Sequence, residues 1–558
     1  MSSDPSGLDS GPGDPAPRSG IARASAILAS GTVVSRVLGF VSAALLAQAL
    51  GITGSGADTF RLANQLPNNI YALVAGGVLS AVIVPHIVRA HLHEDGGAKF
   101  INRLVTLGGV VFIAAAVIAT ACAPLLVRLY AQSGTEGFDQ SEFGLATAFA
   151  YWCLPQILFY ALYSLAGEVL NARGVFGPFT WAPALNNVVA ITGLIVFIAL
   201  FGGDPAHVSA ESWTGPQITL LAGSATLGIA AQAFVLFLFW RKAGLKYRPD
   251  FRWRGVGLGA TGQAAAWVFG MILVTQFAGI VQANVASSAS GFASFAVLFY
   301  GWLIFMLPHG IITVSIATAY FTRMSGHARD GDIDALRTDV AAALRAILLF
   351  MVFSTVGLMV LAFPFAAVFD SDPHSGVLAL GLVLISYLAG LIPFTILFVL
   401  QRVFYALGDT RTPFFLQLGQ SVLFAASAFA VWGFVPAQWR AVGLALALSF
   451  ASTLQTTVAA ILLSRKTRGL DAASVWAQSG WFALSAVLAG AAGTGVLVSL
   501  GGVGLGAFPV DSQLGGILTM LLGGTVMVVV YFGFLWLVHN PELRAMLAPV
   551  LARLRRSG

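Results

Sequence analysis

The sequence predicts an all-α polytopic membrane protein of about 14 transmembrane helices, arranged as two pseudo-symmetric six-helix lobes plus two C-terminal helices. Three observations carry that expectation. The 558 residues are 58% hydrophobic and only 9% charged, with a mean hydropathy of +0.85, whereas soluble domains carry about 25% charged residues. The apolar residues fall in runs of about 20 or more, each enough to cross roughly 30 Å of hydrocarbon as a helix. Basic residues sit in the short segments between those runs and alternate in density from one segment to the next, which is the signature of membrane topology.

In chain order, residues 1–21 are rich in Pro, Gly, Ser and Asp and read as a disordered cytoplasmic tail. They lack the basic start and immediate apolar core of a signal peptide. Spans are expected near 22–49, 58–88, 103–131, 144–171, 178–201, 216–240, 258–288, 292–322, 338–368, 376–407, 413–435, 440–464, 478–501 and 514–538. Only the small, polar SSAS at 287–290 separates the seventh from the eighth. With a cytoplasmic N-terminus, 25 of the 29 Lys and Arg fall inside. Arg128 and Arg440 lie outside, and Arg36 and Arg61 lie within spans. That asymmetry supports the span count and places both termini in the cytoplasm. The same distribution argues against a nucleic-acid surface, because the net charge of +6 is spread over loops rather than gathered on one face. His539–Gly558 is amphipathic, with Leu543, Met546, Leu547, Val550 and Leu554 on one side and arginines on the other, which suits a helix on an anionic leaflet.

An internal repeat organises the spans. Leu66-Pro67-Asn68-Asn69-Ile70 corresponds to Leu307-Pro308-His309-Gly310-Ile311 at an offset of 241. Val169, Ala172, Gly174 and Pro178-Phe179 correspond to Val403, Ala406, Gly408 and Pro413-Phe414 at offsets of 234 and 235. Spans 1–6 and 7–12 therefore read as parallel repeats. The expected organisation is an N-lobe at 22–240, a basic cytoplasmic loop at 241–257, a C-lobe at 258–464, two further spans within 465–540, and a basic amphipathic cytoplasmic tail at 541–558.

The candidate site centres on Ser35–Tyr71. Asp58, Arg61, Asn64, Asn68 and Tyr71 recur at steps of three or four and share one helix face. Such a stripe cannot face lipid, where unpaired polar groups cost several kcal/mol. Arg36 lies ~20 Å along the first span at 1.5 Å per residue; a mid-span arginine costs on the order of 2.5–3.5 kcal/mol and marks a substrate or ion path, or caps another helix. A guanidinium suits bidentate contact with phosphate. Asp58 reads equally as a helix N-cap, Arg61 can snorkel, and the amides, Gln65 and Asn69 included, can glue helices together. Gln276, Gln282 and Asn284 form a second polar set, and Pro67 and Pro308 are candidate hinges. His91 and His93 read as solvated loop residues, and Cys122 and Cys153 as packing residues. No cofactor is expected: the chain shows no metal cluster, no paired catalytic carboxylates and no Walker A motif. No Asp or Glu falls in the middle of a predicted span, which disfavours proton antiport through a buried carboxylate.

SRVLGF at 35–40, ADTF at 57–60 and ANQLPN at 63–68, with Val84-Pro85 ending the second span, resemble the MurJ/MviN family of lipid II flippases. The likeness continues through the LP at 307–308 and GDTRTPF at 408–414, covers about residues 22–540, and is similar to the actinobacterial branch. The resemblance implies two six-helix lobes around a cationic cavity, through which an undecaprenyl-pyrophosphate-linked disaccharide-pentapeptide passes to the outer leaflet. It also implies a lipid-tail groove in the last two spans, and Arg36, Ser35 and Asp58 as motif residues of the site. The expected partners are lipid II, membrane lipids and proteins of cell-wall synthesis or division; nucleic acid is not among them. Several charged family positions differ here, being Ser42-Ala43, Tyr71, Ala72 and Gly76, and Trp302 and Leu303. Either Arg36 and Arg61 hold the pyrophosphate with help from amides, or the substrate preference has moved. The main expectation is a lipid II flippase and not an enzyme. The alternatives are a flippase for another polyprenyl-linked glycan or a drug/cation antiporter of the same superfamily.

Overall fold

The structure, a computed structural model, describes residues 18–548 apart from 91–97, 133–136, 174, 176, 204–206, 243, 245–246, 253–261, 291, 371–375 and 505. Side chains are described from Ser30 onward, except at 76–90, 98–100, 172 and 262–265. His91, His93, Val84-Pro85, most of the predicted N-terminal tail and the last part of the C-terminal tail thus lie outside the described side chains. The tail boundary moves slightly, because α1 (Arg18–Leu50) already begins at Arg18.

The helices following α1 are α2 (Ser55–Ala90), α3 (Ala98–Ala121), α4 (Ala123–Tyr130), α5 (Gln140–Cys153), α6 (Gln156–Ala172), α7 (Gly177–Phe201) and α8 (Gly215–Phe237). The second half runs through α9 (Gly262–Ser287), α10 (Phe295–Pro308), α11 (Val314–Asp330), α12 (Ile333–Val360), α13 (Ala362–Ala366), α14 (Gly376–Leu388), α15 (Leu391–Ala406), α16 (Arg411–Phe434) and α17 (Arg440–Lys466). α18 (Ala472–Ser499), the short α19 (Phe508–Asp511) and α20 (Gln513–Leu537) follow. Among the described residues 12 helices are long and apolar enough to cross a membrane, or 13 if the bent α14–α15 pair is one span. The count of 14 is therefore not reached on those residues. The second expected span coincides with α2, whose side chains are described only as far as Ala75.

Several spans are broken where the sequence places proline. Pro124 follows the break between α3 and α4, Pro155 lies between α5 and α6, and Pro364 follows the break between α12 and α13. Each proline removes a helix N–H and crowds the preceding turn. α14 and α15 meet at an angle of 43°. Pro308 ends α10 and is followed by one π-helical turn, His309–Thr313, before α11. α2, by contrast, runs unbroken through Pro67.

Packing repeats from one half to the other. α1 packs on α7 as α9 packs on α16, and α7 on α8 as α16 on α17. α5 and α6 meet α8 as α14 and α15 meet α17, and α2 meets α3 as α11 meets α12. The break at Cys122 recurs at Leu361, each just before a helix with an early proline. α18 and α20 lie outside this scheme and pack on each other and on α12 and α13. Arg345 of α12 ties this group together through Glu542 and Ser474. Leu543, expected to face a leaflet, is instead buried beside Phe482 and Tyr531. Burial against protein removes its apolar surface from water at that position as effectively as lipid would.

At the end of the bundle carrying the α1–α2 turn, backbones come close enough to require glycine. A Cβ on Gly56 would stand 2.1 Å from the carbonyl oxygen of His207. Gly56→Ala is therefore expected to lower stability by about 1–3 kcal/mol, the usual cost of overpacking; a thermal-unfolding midpoint equal to that of the parent would contradict this.

At the opposite end, GDTRTPF forms a capping turn. Asp409 accepts from the Thr412 N–H at 2.9 Å and its hydroxyl at 2.7 Å, and from Lys466 at the end of α17 at 2.7 Å. Burial pushes the Asp409 carboxyl up, but Lys466 and Thr412 outweigh it and hold the group at about 2. A carboxyl depressed in the folded state stabilises above its unfolded value, about 3.9, and that contribution is lost as pH falls through about 2. Asp409→Asn should cost about 0.5–1 kcal/mol at neutral pH, since Lys466 is partly exposed. The difference from the parent should shrink below about pH 4 and vanish only as pH falls through about 2 in acid-unfolding curves.

Candidate substrate-binding cavity

A cavity of about 760 Å³ opens between α2 and the second half of the chain. α2 supplies Arg61, Asn64, Gln65, Asn68 and Asn69, the middle of the stripe read from the sequence. α9 adds Gln276 and Gln282, α10 adds Phe299 and Trp302, and α15 adds Phe394, Phe398 and Gln401. The remaining wall comes from Gln417, Gln420 and Ser421 of α16 with Ser452 and Gln455 of α17. Gln65 and Asn68 are exposed on this wall and make no hydrogen bond with any described residue. Asn64 instead accepts from Gln156 at 3.2 Å, and Gln276 donates to the Asn69 carbonyl at 3.2 Å. Gln282 reaches the Tyr387 hydroxyl at 3.4 Å.

Arg61 is the one charged side chain among the described lining residues. It does not snorkel. Its Nη2 donates to the Tyr300 hydroxyl at 2.9 Å, and its guanidinium carbon lies 3.8 Å from the centre of the Phe299 ring. A desolvated cation over an aromatic face gains up to about 2 kcal/mol, so Arg61 is held at the cavity's edge by the ring pair.

Asp58 is fully buried and lies outside the cavity. It reaches across to the second half, accepting from the Ser294 hydroxyl and, at 2.8 Å, from the Ala296 N–H. The carboxylate therefore caps the N-terminus of α10 rather than of its own helix, using the orphan N–H groups and positive dipole found there. Glu142 of α5 accepts from both Ser55 and Ser290, and the Gln132 N–H donates to Ser287 at 2.8 Å. Asn284 donates to the Leu129 carbonyl at 2.8 Å, so it serves this junction and lies off the main cavity. Arg440 fixes the same loop from the other side, donating to the Ser288 carbonyl at 2.7 Å. Together these contacts close the bundle at the α1–α2 end.

Arg36 is also absent from the cavity wall. It is partly exposed and points at the π-helical turn after Pro308, where a Cβ on Gly310 would stand 2.2 Å from its Nη1. It makes no hydrogen bond or ion pair with any described residue. His309, next to Gly310 in the same turn, has its ring edge-on to Phe394 and Phe398 of the cavity wall, at 4.8 and 5.1 Å. The Ser35 carbonyl accepts from Asn187 at 2.8 Å. Tyr71 turns into the first half, 5.7 Å from the Tyr160 ring and 6.0 Å from Phe112. The stripe thus diverges at both ends, because a helix in contact with neighbours along its whole length meets different partners at each turn.

The sequence reading missed the α16–α17 wall. Its signal was the one used on α2: Gln417, Gln420 and Ser421 fall at steps of three and four, as do Ser449, Ser452, Gln455 and Thr456. It also missed the aromatic face of Trp302, Phe394 and Phe398, since aromatic residues in an apolar run carry no positional mark.

Packing that repeats between the two halves, a cavity lined by amides between membrane-spanning helices, and one end sealed by cross-half hydrogen bonds define a polytopic transporter. The family model for "Lipid II flippase MurJ" matches residues 46–505, and the chain belongs to that family. A probable lipid II flippase MurJ of Haemophilus influenzae is 28% identical over 443 residues, covering 76% of this chain and 82% of the relative. One of Vibrio cholerae is 26% identical over 494 residues, covering 85% and 87%. Among solved structures, "Lipid II flippase MurJ, inward closed conformation" superposes with a TM-score of 0.70 at 19% identity, covering 92% of this chain and 99% of that one. An inward-facing multidrug resistance MATE family transporter of the MOP superfamily gives 0.57 at 17% identity, covering 78% and 94%. The protein is thus a multi-pass membrane protein of a flippase family, not an enzyme.

Proposed function

We propose that this chain moves lipid II, the undecaprenyl-pyrophosphate-linked peptidoglycan precursor, from the inner to the outer leaflet of the bacterial plasma membrane by alternating access. Family membership carries the reading. A cavity shared by both halves beside a seal of hydrogen bonds at one end supports it. In this reading both termini are cytoplasmic, the sealed end is the outer one, and the cavity faces the inner leaflet. Arg36, at the seam between α1 and the π-turn and with no hydrogen-bond or ion-pair partner among the described residues, takes the diphosphate. Arg61, Asn64, Asn68 and Gln282 contact the rest of the headgroup, and Pro308, with its π-turn, and Pro67 serve as hinges. The group formed by α18 and α20 holds the polyprenyl tail. Membrane lipids surround the chain, and cell-wall synthesis proteins are the expected neighbours.

An inside-negative potential drives the anionic headgroup outward, each charge gaining about 2.3 kcal/mol per 100 mV. Depleting the protein should leave lipid II on the inner leaflet, where an impermeant probe added outside does not reach it. Unchanged outer exposure of lipid II on depletion would refute the function. Undiminished flipping in vesicles whose potential has been collapsed would refute the driving force alone.

A further inference from the structure

The cavity wall has a composition that an anion does not call for. Among its described lining residues are seven glutamines and three asparagines, no acid, no lysine, and Arg61 as the sole charge. Arg61 is already engaged by Tyr300 and Phe299. A primary amide presents donors and acceptors together. Sugar hydroxyl and acetamido groups do the same, so each amide can both give and receive. A diphosphate only accepts, and has nothing to donate to those amide carbonyl oxygens of the wall that lack a donor.

The α16–α17 wall shows how such capacity is left open. Gln417 donates to the Gln420 carbonyl oxygen at 2.9 Å, and Gln455 donates to that of Gln417 at 3.4 Å. The Gln420 amide nitrogen and the Gln455 carbonyl oxygen then have no partner among the described residues, one a donor and the other an acceptor. The same cavity also carries an aromatic platform. Trp302 is stacked on Phe305 at 4.9 Å and 18°, and Tyr387 and Phe394 each meet it edge-on at 5.8 Å. A ring held on three sides offers a fixed apolar face to the C–H face of a pyranose, at little further cost in side-chain entropy.

We infer that this cavity binds the uncharged glycan of the cargo, through the paired amides of α16 and α17 and the face of Trp302, while the diphosphate stays outside it. This rests on the reading of the cavity as the cargo site and names the part of the cargo that enters. The charge of the headgroup is then sensed away from the cavity, and selection within it is for hydrogen-bonding pattern and shape.

The test uses the full chain in phosphatidylcholine nanodiscs, with chitobiose and inorganic pyrophosphate as probes. Saturation-transfer NMR should show transfer to the ring and acetyl protons of chitobiose. Trp302→Ala should weaken binding at least tenfold, and Trp302→Phe less. The shape-conserving pair Gln420→Met and Gln455→Met should weaken it comparably without loss of folded protein. Excess pyrophosphate should not abolish the signal. Absence of transfer to chitobiose, its displacement by pyrophosphate, or full retention in the methionine variants would each overturn the inference. Lipid II flipping measured on the same preparation separates the two readings. Flipping without chitobiose binding removes this inference alone, and chitobiose binding without flipping removes the flippase assignment alone.

Discussion

Arg36→Ala is expected to abolish transport while leaving the protein inserted and folded. The side chain makes no hydrogen bond or ion pair with any described residue, so its removal leaves no buried partner unsatisfied among them. The loss should therefore fall on function rather than on stability. A guanidinium gripping a diphosphate through charge-assisted hydrogen bonds supplies about 1.5–3 kcal/mol per bond, so losing two such bonds reduces transport on the order of a hundredfold or more. Arg36→Lys keeps the charge but loses the planar fork, and should retain partial activity. Growth complementation of a depletion strain, with membrane abundance measured alongside, provides the check. Normal growth supported by the alanine variant would remove Arg36 from the mechanism. Gly310→Ala offers a gentler probe of the same seam: its Cβ would displace the guanidinium, the far end of a flexible chain, so transport should fall without unfolding.

The second large effect is expected at Asp58. Asp58→Ala removes two hydrogen bonds to a buried carboxylate and leaves the Ala296 N–H and the Ser294 hydroxyl without an acceptor. Hydrogen bonds to charged groups are worth about 1.5–3 kcal/mol each. Because these join the two halves, the cost falls on the state in which this end is closed. The population of that state should drop on the order of a hundredfold relative to one with the end parted. Asp58→Asn keeps an acceptor for the backbone N–H and should be milder. Spin-label distances between the α1–α2 turn and the α9–α10 loop should lengthen in the alanine variant and barely change in the asparagine variant. An unaltered distance distribution in Asp58→Ala would mean that Glu142 and its serine partners hold the junction without it.

Composition, run length and loop charge were enough to establish a polytopic helical protein, because an apolar run of this length has few other ways to satisfy its backbone in hydrocarbon. The repeat was legible in two short correspondences, and packing extends it to features without sequence similarity, such as the breaks at Cys122 and Leu361. The polar stripe on α2 was legible too, since helical period alone brings Arg61, Asn64 and Asn68 to one face. What that face met was not. Periodicity fixes the angle of a side chain around its own helix but says nothing of which neighbour stands opposite at each turn. Only the tertiary arrangement sent Asp58 across to cap α10, turned Tyr71 into the first half, and set Arg36 against Gly310 outside the cavity. The same arrangement brought Gln417, Gln420 and Gln455 from two distant helices onto one wall, where their spare donors and acceptors became a surface. Local patterning determined which residues had to leave the lipid, and the packing of the two halves decided which of them would face water and which would be used to hold the halves together.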